Sequence, residues 1–123
     1  IEEVRKMKMS EIQIFDKSTD VNSFKIEGES VWLDKSTRVG LFNSISIEKN
    51  AGKSDTVLWY DAIKYIIPIS DALSMLNEIE MYALNCYNVT QSHIAAVKSL
   101  QTIEEIENYD YTVGYPVKLS FPG

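Results

Sequence analysis

The chain has 123 residues, a formal net charge of −6 at pH 7, and a composition that is 45% hydrophobic and 24% charged. This length predicts one folded domain, and this composition argues against intrinsic disorder. Nucleic acids and anionic membranes are bound through basic surface, so the acidic balance predicts neither as a partner.

The N-terminal part predicts a linker followed by short strands. Residues 1–10 are charged and rich in methionine, and we interpret them as a linker or the end of an upstream helix, with a single α+β domain over residues 11–123. Apolar and polar residues alternate over 11–15, which predicts a strand. Residues 24–26 and 31–33 flank a Glu-Gly-Glu-Ser stretch with glycine at its tight point, which predicts a β-hairpin.

A helix and a second hairpin are predicted next. Asp34 or Ser36 can cap a helix that runs to about Asn50, because their side-chain oxygens accept hydrogen bonds from its first free amides. Its apolar stripe consists of Arg38 (through its aliphatic stem), Leu41, Phe42 and Ile45. Residues 56–60 and 63–67 are rich in β-branched and aromatic residues and lie two residues apart, which predicts a hairpin. The two residues between them, Asp-Ala, favour a tight turn less than Asp-Gly, so a longer turn is also open.

The longest predicted helix begins near Ser70, whose side chain is expected to cap it. Its apolar residues recur every three or four positions, as on a helix that faces a core or forms a coiled coil. This seam consists of Ala72, Leu76, Ile79, Ala83 and Cys86. Asn88 and Thr90 predict a break or a kink, after which Thr90 could cap a continuation.

The last third of the chain predicts a short helix and a final strand. Thr102 and Glu105 have the spacing of a capping box, which predicts a helix that runs to about Asn108. Alternation over residues 117–121 predicts the strand. The predicted class is therefore α+β: a small single domain with β-hairpins, one long central helix, a short C-terminal helix and a final strand.

The sequence offers little for catalysis or metal binding. Cys86 and His93 are seven positions apart, about 10.5 Å along a continuous helix, which is beyond hydrogen-bond reach. We interpret Cys86 as a core residue and His93 as an ordinary surface or hydrogen-bonded residue. One cysteine and one histidine do not supply a usual zinc site. We predict no enzymatic activity, no metal and no cofactor, with a hydrolase assembled from carboxylates as the alternative.

Aromatic residues give the candidate interaction surface. Tyrosine and tryptophan fill cores, but they also anchor protein interfaces. The candidate residues are Trp59, Tyr60, Tyr109, Tyr111 and Tyr115. The last three alternate with polar residues or glycine, which is typical of a docking patch. Such a surface could bind a protein partner or, by stacking of Trp59, Tyr60 or Tyr111 on sugar rings, a carbohydrate.

Three short stretches of the sequence also resemble a known family. They are Trp-Leu-Asp-Lys-Ser-Thr-Arg-Val-Gly-Leu at 32–41, Met-Tyr-Ala-Leu-Asn-Cys-Tyr-Asn-Val-Thr at 81–90, and Tyr-Asp-Tyr-Thr-Val-Gly-Tyr-Pro at 109–116. They resemble a domain of unknown function in phage and prophage proteins, including those of gut Bacteroidales, often beside tail-fibre or virion-associated sequences. The likeness covers about residues 24–121.

The resemblance implies a setting and no catalytic residues. It implies a non-catalytic interaction or structural module of a phage or prophage particle, or of its assembly. The implied partners are phage structural or assembly proteins, and the implied location is the bacterial cytoplasm during assembly and the virion. Modules of this kind are commonly oligomeric, and the seam of the long helix could serve a homo-oligomer interface as well as a core. A carbohydrate-binding, receptor-recognition domain is the alternative.

Overall fold

The computed structural model describes residues 1–122, and these form four α-helices and five β-strands. The helices are α1 (Glu2–Lys17), α2 (Lys35–Asn50), α3 (Ile69–Ser99) and α4 (Ile103–Glu107). The strands are β1 (Phe24–Ile26), β2 (Glu29–Val31), β3 (Asp55–Tyr60), β4 (Ile63–Pro68) and β5 (Ser120–Phe121). The predicted α+β class, with its hairpins, one long helix and a strand near the C-terminus, is confirmed.

The described residues separate into two compact units. The helical unit comprises Ile1–Ser23 and Tyr82–Lys118, and the sheet unit comprises Phe24–Met81 and residues 119–122. The long helix α3 contributes its first part to the sheet unit and the rest to the helical unit.

Both predicted hairpins form in the sheet unit. Strand β1 pairs antiparallel with β2 and parallel with β5, and β3 pairs antiparallel with β4. Each hairpin turns through two residues with positive φ, Glu27 (51°) and Gly28 (82°) in the first, Asp61 (49°) and Ala62 (63°) in the second. Positive φ at both central positions is the type I′ turn, whose twist matches that of the strands. The second turn adopts it without glycine, so the longer turn left open by the sequence does not occur.

The core of the sheet unit is built from the inner faces of its strands and from α2 and α3. Its buried residues are Phe24, Ile26, Val31, Leu33, Ile45, Leu58, Tyr65, Ile69, Ala72, Met75, Leu76 and Ile79. Asp34 caps α2 by accepting a 2.8 Å hydrogen bond from the Thr37 amide, and this bond lowers the pKa of the Asp34 carboxyl. In the predicted α2 stripe, Phe42 is 40% exposed, so its assignment to the core is wrong. It lines a surface groove beside α3 instead.

In the helical unit, α1 is continuous from Glu2 to Lys17, so the strand predicted over 11–15 is wrong. Ile12 is fully buried whereas Ile14 is 68% exposed. Residues two apart share a face on a strand but not on a helix, which explains the difference. Val4 and Met9 pack with Ile12 in the same cluster, so helix-period contacts run along the whole element.

The helix α3 is longer and more regular than predicted. It begins at Ile69, so Ser70 lies inside the helix and the predicted cap is wrong. It passes through Asn88 and Thr90 without interruption, so the predicted break is wrong as well. The seam is confirmed as core, because Ala72, Leu76, Ile79 and Cys86 are buried and Ala83 is half-buried.

The C-terminal elements follow the prediction in part. Thr102 and Glu105 form the predicted capping box at the start of α4. The final strand is shorter than predicted, because only Ser120 and Phe121 pair with β1. Val117, placed in that strand by its alternation, is 90% exposed.

Candidate interaction site

A chain of partly buried hydrogen bonds joins α1, α3 and the C-terminal segment of the helical unit. The Thr90 hydroxyl donates to Asp16 Oδ1 at 2.8 Å and lies 2.7 Å from the Tyr115 hydroxyl. Because a threonine hydroxyl carries one proton, Tyr115 must donate to Thr90. Thr90 is 3% exposed, so its side chain acts as a bridge inside the unit and not as a helix cap. Burial is the main cause that raises the pKa of Tyr115.

His93 belongs to the same side of α3 and is fully hydrogen-bonded. Its Nδ1 lies 2.7 Å from the Tyr109 hydroxyl, and its Nε2 lies 2.8 Å from the Val113 carbonyl oxygen. A carbonyl oxygen only accepts, so Nε2 carries a proton, and in a neutral ring Nδ1 accepts from Tyr109. Of the two alternatives left open for His93, a surface residue or a hydrogen-bonded one, the structure shows the second, because its side chain is 7% exposed and bonded at both ring nitrogens.

The three C-terminal tyrosines of the candidate surface therefore face their own unit. Tyr109, Tyr111 and Tyr115 are half-buried. The Phe15 ring lies 5.6 Å, centroid to centroid, from the rings of both Tyr111 and Tyr115. The ammonium group of Lys8 lies 5.6 Å from the centroid of the Tyr111 ring. These contacts tie the segment to α1, and a role for the tyrosines in binding stays a prediction.

Cys86 lies in the core of the helical unit. It is 3% exposed, and burial is the main cause that raises the pKa of its thiol. Reactive cysteines have a lowered pKa in an electropositive site, so this environment favours an unreactive core residue. One turn earlier, the Tyr82 hydroxyl donates to the Val21 carbonyl oxygen at 2.7 Å.

In the sheet unit, a buried arginine is held by three partners. Arg38 donates to Glu80 Oε1 at 2.9 Å and to the Leu33 carbonyl oxygen at 2.6 Å. Its guanidinium carbon lies 5.3 Å from the centroid of the Trp32 ring. It lines a groove of about 550 Å³ beside Phe42, and its Nε and Nη1 groups are bonded within the unit.

The β3–β4 hairpin has one buried and one exposed face. Val57 lies opposite Ile66, and Trp59 lies opposite Lys64, so these four side chains share a face. Val57, Trp59 and Ile66 are 46%, 62% and 65% exposed, and the Lys64 ammonium lies 6.0 Å from the Trp59 ring centroid. We call these four residues the outer hairpin face. Tyr60, the other candidate on this hairpin, points to the opposite side and is packed against the core.

A groove of about 400 Å³ runs along β4, and Lys64 and Ile66 of the outer hairpin face are among its lining residues. Residues of β4, one face of α3, and the ends of β1 and β5 line it, and we call it the β4 groove. Its walls include the carboxylates of Glu27, Asp71 and Glu78 and the buried ring of Tyr65. The Tyr65 hydroxyl is buried and has no hydrogen-bond partner among residues 1–122. Burial, followed by the nearby charges of Glu29 and Glu27, raises the pKa of Tyr65.

Sequence reasoning identified Trp59 but missed its neighbours and this groove. Val57 and Ile66 could have been found by pairing the two predicted strands across the Asp-Ala turn, because that register places both beside Trp59. Asp71 and Glu78 both lie on α3, two turns apart, but Glu27 lies in the first hairpin turn, so no sequence spacing connects it to them.

Comparison with known proteins adds no assignment to this geometry. No family model, no curated protein sequence and no solved structure matches the chain. Among residues 1–122, no group of three or more histidine, cysteine, aspartate or glutamate side chains is placed to hold a metal ion. None of the helices in that described part is both long enough and apolar enough to cross a membrane. The resemblance to a phage-associated domain stays a prediction.

Proposed function

We propose that this chain is a non-catalytic protein-interaction module and that a partner protein docks on the outer hairpin face. The observation that carries the proposal is the exposure of Val57, Trp59 and Ile66 side by side on one face. Contiguous exposed apolar side chains mark interaction surfaces, and tryptophan is among the residues that contribute most to binding.

The surroundings of Trp59 favour a protein over a sugar. Its neighbours on the face are two aliphatic side chains and the ammonium group of Lys64. Specific binding of a polar ligand needs several placed hydrogen-bonding groups around the apolar contact, whereas a protein interface needs an apolar centre with a polar rim. The hydrogen-bonded arrangement of Thr90 and His93 in the helical unit supports a structural role for the polar residues there.

The setting that we propose is the one implied by the sequence resemblance. In that setting the partner is a structural or assembly protein of a phage or prophage particle, and a second copy of the chain is one such partner. The module would act in the bacterial cytoplasm during assembly or in the virion.

Site-specific photo-crosslinking in the organism that carries the gene tests the proposal. A photoreactive phenylalanine analogue replaces Val57 on the outer hairpin face, and a control chain carries it at Val117, which is 90% exposed in the helical unit. We expect a discrete protein adduct from position 57 that disappears when Trp59→Ser is added. The same adducts from both positions, or adducts that survive Trp59→Ser, would refute docking on this face.

A carbohydrate-binding role is the second candidate, because Trp59 is exposed enough to stack on a sugar ring. A glycan array probed with the wild-type chain and with Trp59→Ser separates the two functions. We expect no glycan to be bound. Binding that is lost in Trp59→Ser would replace the protein-docking proposal with the sugar-binding one.

A further inference from the structure

The β4 groove is lined by three parts of the sheet unit. Its floor is one face of α3, which presents Asp71, Met75 and Glu78 at helical spacing, and one wall is β4 itself. The ends of β1 and β5 form the other wall. Apolar side chains such as Ile67 and Phe121 lie between the charged ones.

The wall made by β4 is a free strand edge. Among residues 1–122, β4 pairs only with β3. In a two-residue hairpin the residues that flank the turn form a hydrogen-bonded pair, and such pairs then alternate along the ladder. Tyr65 therefore bonds toward β3, while the backbone amide and carbonyl groups of Lys64 and Ile66 point away from it. Free groups of this kind bind an extended segment by adding it as a further strand.

The pairing geometry also decides which side chain enters the groove. Directly opposed residues on neighbouring strands place their side chains on the same face. Tyr65 is on the inner face of the hairpin, and Lys64 and Ile66 are on the outer face. The residue opposite Tyr65 on an added strand would therefore point inward, toward Glu78 and α3, and its two neighbours would point outward.

The charge of the groove selects a basic side chain for that position. Three carboxylates, those of Glu27, Asp71 and Glu78, line it against one ammonium group, that of Lys64. The unpartnered oxygen of Tyr65 can accept a hydrogen bond from a cation. Apolar residues between these groups match the aliphatic stem of a lysine or arginine. Arginine suits the groove better than lysine, because its planar head donates in several directions at once.

We propose that the β4 groove binds an extended segment of a partner protein, which pairs with the free edge of β4 and places an arginine or lysine side chain between Tyr65, Glu27 and Glu78. This inference rests on the proposed protein-interaction function and names the chemistry of the partner. The groove shares Lys64 and Ile66 with the outer hairpin face, whereas Val57 and Trp59 do not line it.

A random heptapeptide library displayed on a carrier and selected against the full chain tests the inference. We expect the enriched peptides to carry arginine or lysine at one fixed position, with β-branched or aromatic residues on either side. Replacing that basic residue by glutamine in a synthetic peptide should weaken binding about tenfold or more, because hydrogen bonds between charged groups contribute on the order of 1.5–3 kcal/mol. Enrichment of peptides without a basic residue, or no enrichment, would overturn the inference.

Matched protein variants localise the interaction. Glu27→Gln combined with Glu78→Gln should weaken the selected peptide by at least the same factor. Glu104→Gln combined with Glu107→Gln changes the net charge equally on exposed residues of α4 and should leave the affinity unchanged. Equal losses in the two double variants would indicate general charge attraction and refute a specific groove.

N-methylation of the peptide backbone tests the strand pairing separately. Methyl groups on the amides that face β4 should abolish binding, because they remove the donors and block the approach to Lys64 and Ile66. Undiminished binding of the methylated peptide would refute strand addition. The proposed function and this inference fail separately, because the crosslink from position 57 and its loss in Trp59→Ser do not depend on the peptide results.

Discussion

Thr90→Val is the sharpest test of the hydrogen-bond chain in the helical unit. Valine has nearly the shape of threonine, so the substitution removes the hydroxyl without opening a cavity. It removes the 2.8 Å bond to the Asp16 carboxylate and the 2.7 Å bond from Tyr115 together. Thr90 is 3% exposed, so water does not replace either bond without a local opening of the unit.

The expected loss of stability follows from those two bonds. A hydrogen bond between neutral groups contributes about 0.5–1.5 kcal/mol, and one to a charged group about 1.5–3 kcal/mol. Asp16 is half-buried and regains part of its hydration, so we expect the lower part of the sum, about 2–3 kcal/mol. For a chain of this size that corresponds to a fall of about 8–12 °C in the melting temperature.

The assay is thermal unfolding followed by circular dichroism, with hydrogen exchange to locate the effect. Thr112→Val is the matched control, because Thr112 also bonds an aspartate, Asp110, but on the exposed surface. We expect this control to change stability by less than about 0.5 kcal/mol. If Thr90→Val costs no more than Thr112→Val, the buried chain does not hold α1 and the C-terminal segment to α3, and the reasoning fails.

Three further predictions concern single contacts. Thr102→Ala should cost about 1 kcal/mol and increase amide exchange at the start of α4, because it removes one half of the capping box that Thr102 forms with Glu105. Tyr65→Phe should leave the melting temperature unchanged or raise it, since its hydroxyl has no partner among residues 1–122, while it weakens the selected peptide. The hydrogen bond from the Thr56 hydroxyl lowers the pKa of Glu48 in the folded chain. The carboxylate therefore stabilises the fold at pH values above its unfolded pKa of about 4.3. It loses this contribution as the pH falls through its folded pKa. Unfolding curves of Glu48→Gln should therefore depend less on pH between about pH 5 and pH 3 than those of the wild type.

The elements that sequence reasoning predicted correctly are those with local causes. The cap at Asp34 and the capping box at Thr102 each depend on side chains within three residues of the amides that they satisfy. The hairpins depend on two apolar runs and the turn between them. For these caps and hairpins, both partners of the contact that determines the structure lie within a few residues of each other in the sequence.

The errors arose where distant residues decide the structure. Asn88 and Thr90 have weak helix propensity, yet Thr90 is mid-helix because Asp16 and Tyr115, 74 and 25 positions away, bond its hydroxyl. The alternation predicts Ile12 and Ile14 on one face of a strand. In the helix α1 they lie on different faces, and only Ile12 is buried in the cluster shared by α1 and α4. The three C-terminal tyrosines predicted to dock a partner are likewise contacted by residues of α1 and α3 that are distant in sequence. No local sequence pattern reveals such contacts.

The β3–β4 hairpin shows why stability and binding should be separable in this chain. A two-stranded sheet is marginal alone, and here its inner face gains stability by packing Leu58 and Tyr65 into the core. The outer face contributes little to that packing, because Trp59 and Ile66 remain more than half exposed. Folding therefore does not require an apolar outer face, and polar residues there would serve the fold as well. The proposed partner would cover this apolar face, so Trp59→Ser should remove binding at an unchanged melting temperature.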